Sequence, residues 1–181
     1  MEAGERRSGE MTFYVVRHGQ TLFNVMGKVQ GWCDTPLTDE GVRAAEALGR
    51  GLADVDFAAA FSSDSGRAVQ TLDALLGARA AQRGEAYAPP ETFPPTCVNG
   101  PSSAIEYGAL HTLLCAETPF PLAHDPRLRE WCYGDLEGEP GDQLRAALAR
   151  GFGAELGFEE HNRRLPEVAD VLARADTSGR A

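Results

Sequence analysis

An α/β fold, with a mostly parallel sheet flanked by helices, is what this sequence predicts. Three observations predict it. Residues 12–17 (TFYVVR) form a continuous β-branched and aromatic run ending in Arg17-His18-Gly19. The run is too apolar throughout for a half-exposed strand and reads as a buried central one. A helix follows from Thr38, and a second apolar run at 57–61 leads into another helix. Strand, loop, helix, strand, helix is the order of a parallel sheet, whose strands need crossover connections.

The elements follow in order. Residues 1–10 (MEAGERRSGE) are polar and predict a flexible leader, with 11–181 forming one domain. Gly27, Gly31 and Pro36, set among polar residues, mark 19–37 as a long functional loop. Thr38 caps a helix whose first turn carries Asp39 and Glu40, where negative charge suits the helix dipole. Val42, Ala45, Leu48, Gly49 and Leu52 recur at helical spacing and predict a face packed on the sheet. After the second strand, Asp64 or Ser65 opens a helix to about residue 76. A proline-rich loop then occupies about 78–103, with Pro89, Pro90, Pro94, Pro95 and Pro101. Residues 104–116 predict a helix, 119–123 a short edge strand that tolerates proline, and 143–150 and 166–175 two further helices.

Composition narrows the function. The chain has 181 residues, 43% hydrophobic and 24% charged, an ordinary globular composition. A formal net charge of -10 argues against a general nucleic-acid binder, which needs a basic surface. No apolar stretch reaches the ~20 residues of a membrane helix, and the first residues carry no secretory apolar region, so a cytoplasmic protein without a membrane partner is expected. Cys33, Cys97, Cys115 and Cys132 form no CxxC pair and match no zinc spacing, so they read as reduced thiols.

The chemistry gathers around His18. An imidazole with an ordinary pKa near 6.5 keeps a free ring nitrogen at neutral pH and can accept a phosphoryl group. Such a transfer needs its charge neutralised and aligned, which arginines do through planar, permanently charged forks. Arg17 supplies one, and Arg67, beyond the second strand, is placed to supply another. Asn24 offers a neutral amide donor. A leaving alkoxide also needs a proton, and Glu130, beside Trp131, is the candidate acid, with desolvation expected to raise its pKa. Asp135 and Glu137 are its nearby competitors. Trp32, Trp131 and Tyr133 read equally as pocket walls or as core.

Four segments, VVRHGQTLFN, KVQGWCDTPLTDEG, FSSDSGRAVQT and LREWCYGDLEG, occur in this order. Together they resemble the signature segments of the histidine phosphatase superfamily, also called the phosphoglycerate mutase-like family, over roughly 12–77 and 125–138. The resemblance implies a phosphoglycerate mutase-like fold with His18 as the nucleophile that becomes phosphohistidine and Glu130 as the proton donor. Arg17 and Arg67 would bind phosphoryl oxygens, Asn24 would assist, and Thr21, Gln30 and Gly31 would face the substrate. It implies no metal and no cofactor, because arginines and histidines supply the positive charge. The partner would be a small phosphorylated metabolite.

One departure stands out. The family carries a second catalytic histidine late in the chain, after a further apolar strand and before glycine. His111, His124 and His161 do not fit that pattern and read as surface or helix residues. By the resemblance the domain is expected to be incomplete on its C-terminal side, with an unpaired strand edge and a tendency to self-associate. Three functions stay open: a phosphomonoester hydrolase working through phosphohistidine, which the sequence favours, a phosphoglycerate mutase-type phosphoryl transfer, and a non-catalytic phospholigand-binding protein.

Overall fold

The computed structural model describes residues 11–89 and 120–179. The expected leader, the helix at 104–116, His111 and most of the proline-rich loop lie outside the described residues.

Local chemistry accounts for the helix starts. Thr21 opens α1 (Leu22–Val25) with a reciprocal capping box: its hydroxyl oxygen accepts the Asn24 N–H at 3.2 Å, and Asn24 Oδ1 accepts the Thr21 N–H at 3.0 Å. Thr38 caps α2 (Asp39–Gly51) as expected, accepting the Gly41 N–H at 3.1 Å ahead of Asp39 and Glu40. The buried stripe of α2 is Gly41, Ala45 and Gly49, whereas Leu48 is exposed, because the helix packs against α3 (Gly66–Arg83) through small residues. Helix α3 runs seven residues past the expected end. Its run Gly77-Ala78-Arg79-Ala80-Ala81-Gln82-Arg83 holds one glycine among strong helix formers, a cost of about 1 kcal/mol that packing outweighs.

The sheet that positions the site is parallel. Strand β1 (Ala60–Ser62) pairs with β2 (Leu122–His124) in the register Ala60 to Leu122, Phe61 to Ala123 and Ser62 to His124. The strand expected at 119–123 therefore forms slightly later, and it is buried at all three residues. Leu75 and Leu76 of α3 close over Phe120 and Leu122, with Phe57, Leu72 and Tyr87 at the margin of this core. A second layer joins α4 (Gly141–Phe152) to α6 (Leu165–Ala175), burying Ala147, Val168, Val171 and Leu172. Between them lies the short α5 (Phe158–Arg163), which holds His161.

The expected central strand at 12–17 departs most from the sequence reading. The segment forms no regular element and joins no ladder among the described residues, with Phe13 79% and Val15 94% exposed. A strand buried on both faces needs a hydrogen-bonded neighbour and a covering layer. Among the described residues strands β1 and β2 pair only with each other, and Tyr14 meets Phe57 edge-on at 5.6 Å. The apolar pattern is present without the described partners that would convert it into a strand. No helix among the described residues is long and apolar enough to cross a membrane.

Candidate active site

His18 follows the apolar segment 12–17 and lies in the loop before α1. Its Nδ1 lies 2.8 Å from the Gly19 carbonyl oxygen. A carbonyl only accepts, so this contact assigns the ring proton to Nδ1 and leaves the Nε2 lone pair available. Burial pushes the His18 pKa down, the Gly19 carbonyl pushes it up, Arg67 and Arg17 push it down again, and Asp34 opposes them; the net direction is down. Arg17 is exposed and makes no hydrogen bond or ion pair among the described residues.

Gly19 serves packing. A Cβ there would lie 2.6 Å from the Gly41 carbonyl oxygen, so glycine lets the histidine loop seat against the first turn of α2. The Gly19 N–H donates to Thr71 Oγ1 at 2.9 Å, and the Thr71 hydroxyl donates to the Arg67 carbonyl at 2.6 Å.

Arg67 sits in the first turn of α3 and is 3% exposed. Its guanidinium donates to the Gly31 carbonyl at 2.8 Å, to the Cys33 carbonyl at 3.1 Å and to Asp34 at 3.2 Å. The buried Nε has no acceptor among the described residues. Asp34 also accepts the Arg67 backbone N–H at 3.2 Å, placing a carboxylate at the helix N-terminus where the dipole favours it.

The residues expected to face a substrate build the loop. Thr21 is fully buried, and its hydroxyl donates to Gln30 Oε1 at 2.7 Å. Gln30 Nε2 donates to Thr35 at 3.1 Å. Asn24 is exposed and commits its carboxamide oxygen to the capping box. Gly31 is tight against the chain around residue 131: a Cβ would fall 2.0 Å from the Trp131 carbonyl oxygen.

Glu137 holds this turn from the other side. Its carboxylate accepts the N–H groups of Gly31 at 3.1 Å, Trp32 at 2.7 Å, Cys33 at 3.0 Å and Tyr133 at 2.9 Å. Three successive backbone donors converge on one anion, a nest filled from within the chain. Burial pushes the Glu137 pKa up, but the bonds from the Cys33 thiol and from the backbone of Tyr133, Trp32 and Cys33 outweigh it, and the net direction is down. Glu137 is thus held as a carboxylate and does not compete as a proton donor. Burial, with Glu137 beside it, pushes the Cys33 thiol up to about 12, which makes it inert.

Glu130 departs from expectation. Its side chain is exposed rather than buried beside Trp131, and Oε1 accepts the Trp131 N–H at 2.9 Å. Its backbone is firmly placed, since the Glu130 carbonyl accepts Trp32 Nε1–H at 3.1 Å. The neighbouring Arg129 forms a bidentate pair with Asp64 at 2.6 and 2.5 Å and lies over the Trp32 ring at 5.2 Å. A cavity of about 370 Å³ opens here, with Trp32, Arg129, Glu130 and Trp131 in its wall. Both tryptophans therefore line a cavity, while Tyr133 is partly buried and its hydroxyl is pushed up to about 12 by burial and by Glu130 and Glu137.

His124, read from sequence as a surface residue, is 3% exposed. Its place at the end of a buried strand explains this: Nδ1 lies 2.6 Å from Ser62 Oγ, directly across the parallel pair. Burial lowers its pKa against the opposing charges of Asp73 and Asp64. Two site residues escaped the sequence reading, Thr71 and Asp34, and a third, Glu137, was read only as a competitor of Glu130. Thr71 falls one helical turn after Arg67, which was the available signal. Glu137 acts across more than a hundred residues and leaves no local one. Among the described residues no cluster of three or more His, Cys, Asp or Glu could hold a metal.

Residues 13–85 match the family model of the histidine phosphatase superfamily, branch 1. The chain is 34% identical over 138 residues to 2,3-bisphosphoglycerate-dependent phosphoglycerate mutase 2 of Gloeobacter violaceus, covering 75% of this chain and 58% of that protein. It is 32% identical over 140 residues to fructose-2,6-bisphosphatase TIGAR of Xenopus laevis, covering 77% of this chain and 38% of that protein. A solved phosphoglycerate mutase from Bacillus anthracis superposes with a TM-score of 0.63 at 29% identity, covering 91% of this chain and 56% of that one. The chain spans little more than half the length of the first relative and less than two fifths of the second. The matched segment carries Arg17-His18-Gly19, Asn24 and Arg67 in the expected order, and over residues 13–85 the chain is a member of the histidine phosphatase superfamily.

Proposed function

We propose that this chain is a phosphomonoester hydrolase that works through a phosphohistidine on His18, with a small phosphorylated metabolite as substrate. The observation that carries the reading is the state of His18. Its Nδ1–H is directed at the Gly19 carbonyl, its pKa is lowered, and the charges of Arg67 and Arg17 act on it. A neutral imidazole with a free Nε2 beside two cations suits in-line attack on a phosphoryl group.

Nε2 forms the bond to phosphorus while the bond to the ester oxygen breaks. Glu130, protonated, gives its proton to the departing alkoxide. Water then attacks the phosphohistidine, its proton passes to the Glu130 carboxylate, and inorganic phosphate leaves with His18 restored. Arg17 and the Nε–H of Arg67 meet the phosphoryl oxygens.

The likeness to a phosphoglycerate mutase favours a second reading, in which the phosphoryl group returns to another oxygen of the substrate. Incubation with an aryl phosphate, followed by a quench that preserves phosphohistidine, tests both. Labelled His18 with steady phosphate release supports the hydrolase. Labelling with transfer to an added hydroxy acid and little release supports the mutase. Turnover unchanged in His18→Ala overturns the nucleophile, and phosphate binding without any labelling supports a binding protein.

A further inference from the structure

One peptide group lies between two charged side chains. The unit joining Gly31 to Trp32 offers its N–H to Glu137 Oε1 at 2.7 Å and its carbonyl to Arg67 Nη2 at 2.8 Å. A trans peptide directs these two groups in opposite directions, so the carboxylate and the guanidinium hold it from opposite sides. The next carbonyl but one, Cys33, also receives Arg67, while the N–H groups of Gly31 and Cys33 go to Glu137. We propose that Glu137 is the positioning residue for Arg67, acting through the Gly31–Trp32 peptide rather than by direct contact.

The physical argument has three parts. First, an anion on the N–H side polarises the peptide and strengthens its carbonyl as an acceptor, so the guanidinium is held harder when Glu137 is charged. Second, the turn cannot shift to compensate. Gly31 is closed in by the Trp131 carbonyl, the Glu137 carboxylate and the Tyr133 ring, any of which a Cβ would meet within 2.6 Å. Third, Arg67 is buried and its Nε has no acceptor among the described residues, so the direction of that N–H depends on how Nη1 and Nη2 are held. Tyr133 N–H shares the same carboxylate, which ties the segment bearing Glu130 to the turn that orients Arg67.

The functional arm of this inference rests on Arg67 as a phosphate ligand; its structural arm does not. Nuclear magnetic resonance of the whole chain reads the structural arm through the Trp32 amide and the Arg67 Nε–H. In Glu137→Gln the amide oxygen replaces only part of the acceptor set and its NH2 opposes the turn's donors, so both signals are expected to shift together. A Trp32 shift with an unmoved Arg67 signal overturns the proposal. If Glu137→Gln does not fold, Glu137→Asp keeps the charge with a shorter reach, and the same pair of signals decides by the same rule.

Inorganic phosphate titration reads the functional arm. Glu137→Gln is expected to weaken phosphate binding about tenfold, the scale of one misaligned charge-assisted contact. In an Arg67→Met background the same change is expected to have almost no further effect, because its route is gone. A full tenfold effect in that background makes Glu137 merely structural and overturns the proposal. If Arg67→Met alone leaves phosphate binding unchanged, the phosphate role of Arg67 fails, and the joint or separate movement of the two signals still decides the relay.

Discussion

Thr71 joins the histidine loop to the arginine helix: its hydroxyl oxygen accepts the Gly19 N–H at 2.9 Å while its proton goes to the Arg67 carbonyl at 2.6 Å. One side chain thus fixes the distance between the backbone that orients His18 and the turn that carries Arg67. Thr71 is 6% exposed, so no water replaces it cheaply. Thr71→Val keeps the shape and orphans the Gly19 N–H, costing about 1–3 kcal/mol. The melting temperature is expected to fall by about 5 °C, by differential scanning calorimetry, on the usual scaling for a domain of this size. Phosphohistidine formation should slow more than phosphate binding weakens, since Arg67 keeps its own contacts.

Asp34 balances the buried charge of Arg67. The pair is 3.2 Å apart with side chains 3% and 13% exposed, so removing the carboxylate leaves a guanidinium held only by two carbonyls. Asp34→Ala is expected to destabilise the fold by about 3 kcal/mol, as other broken buried pairs do. Asp34→Asn keeps an oxygen facing Nη1 and should recover more than half of that loss. Equal destabilisation in denaturant melts of the two variants would assign the effect to packing instead of charge.

What was legible beforehand follows the range of each signal. The Thr38 cap, the Arg67 position and the helices at 141–152 and 165–175 rest on neighbours within one or two turns, and the structure places them within a few residues of expectation. The run at 12–17 was legible as apolar but not as lacking a ladder partner among the described residues, because pairing is a property of other segments. His124 was misread for the same reason: the Asp125-Pro126 that follows it reads as a turn, and its neighbour across the sheet is Ser62. Of the site, the residue types were legible; the carboxylate that organises them, Glu137, was visible only as a rival acid. Its four backbone donors are not encoded by any spacing.

The lowered pKa of His18 sets the pH dependence. Its imidazole stays neutral below the ordinary value of 6.5, so the acidic limb of kcat/KM is expected below that pH. Arg67→Met removes a charge that lowers the pKa, and the limb moves up. Asp34→Asn removes one that raises it, and the limb moves down. Stability follows the same sign: both His18 and His124 titrate lower folded than unfolded, so the unfolded chain binds more protons. Their contribution is complete above about 6.5 and is lost as pH falls through the folded values. Denaturant melts at constant ionic strength check this, and a stability that rises on acidification from pH 7 would contradict it.

Glu130 is tested by leaving group. Its two rivals face away from the cavity, Glu137 taking four backbone N–H groups and Asp135 the Thr177 N–H at 2.8 Å, whereas the exposed Glu130, whose Oε1 accepts the Trp131 N–H at 2.9 Å, stands in the cavity wall. A general acid matters most when the departing oxygen is a strong base. Glu130→Gln is therefore expected to slow hydrolysis of an alkyl phosphate by about 100-fold and of a nitrophenyl phosphate by less than about threefold. In the proposed mechanism the carboxyl also takes the proton of the attacking water, so phosphohistidine should accumulate when the aryl ester is the donor. Asp135→Asn should leave both rates within about twofold, because it removes no proton from the reaction path. Equal slowing of both esters in Glu130→Gln would move the acid elsewhere, and the absence of accumulated phosphohistidine would place the second proton transfer on another group.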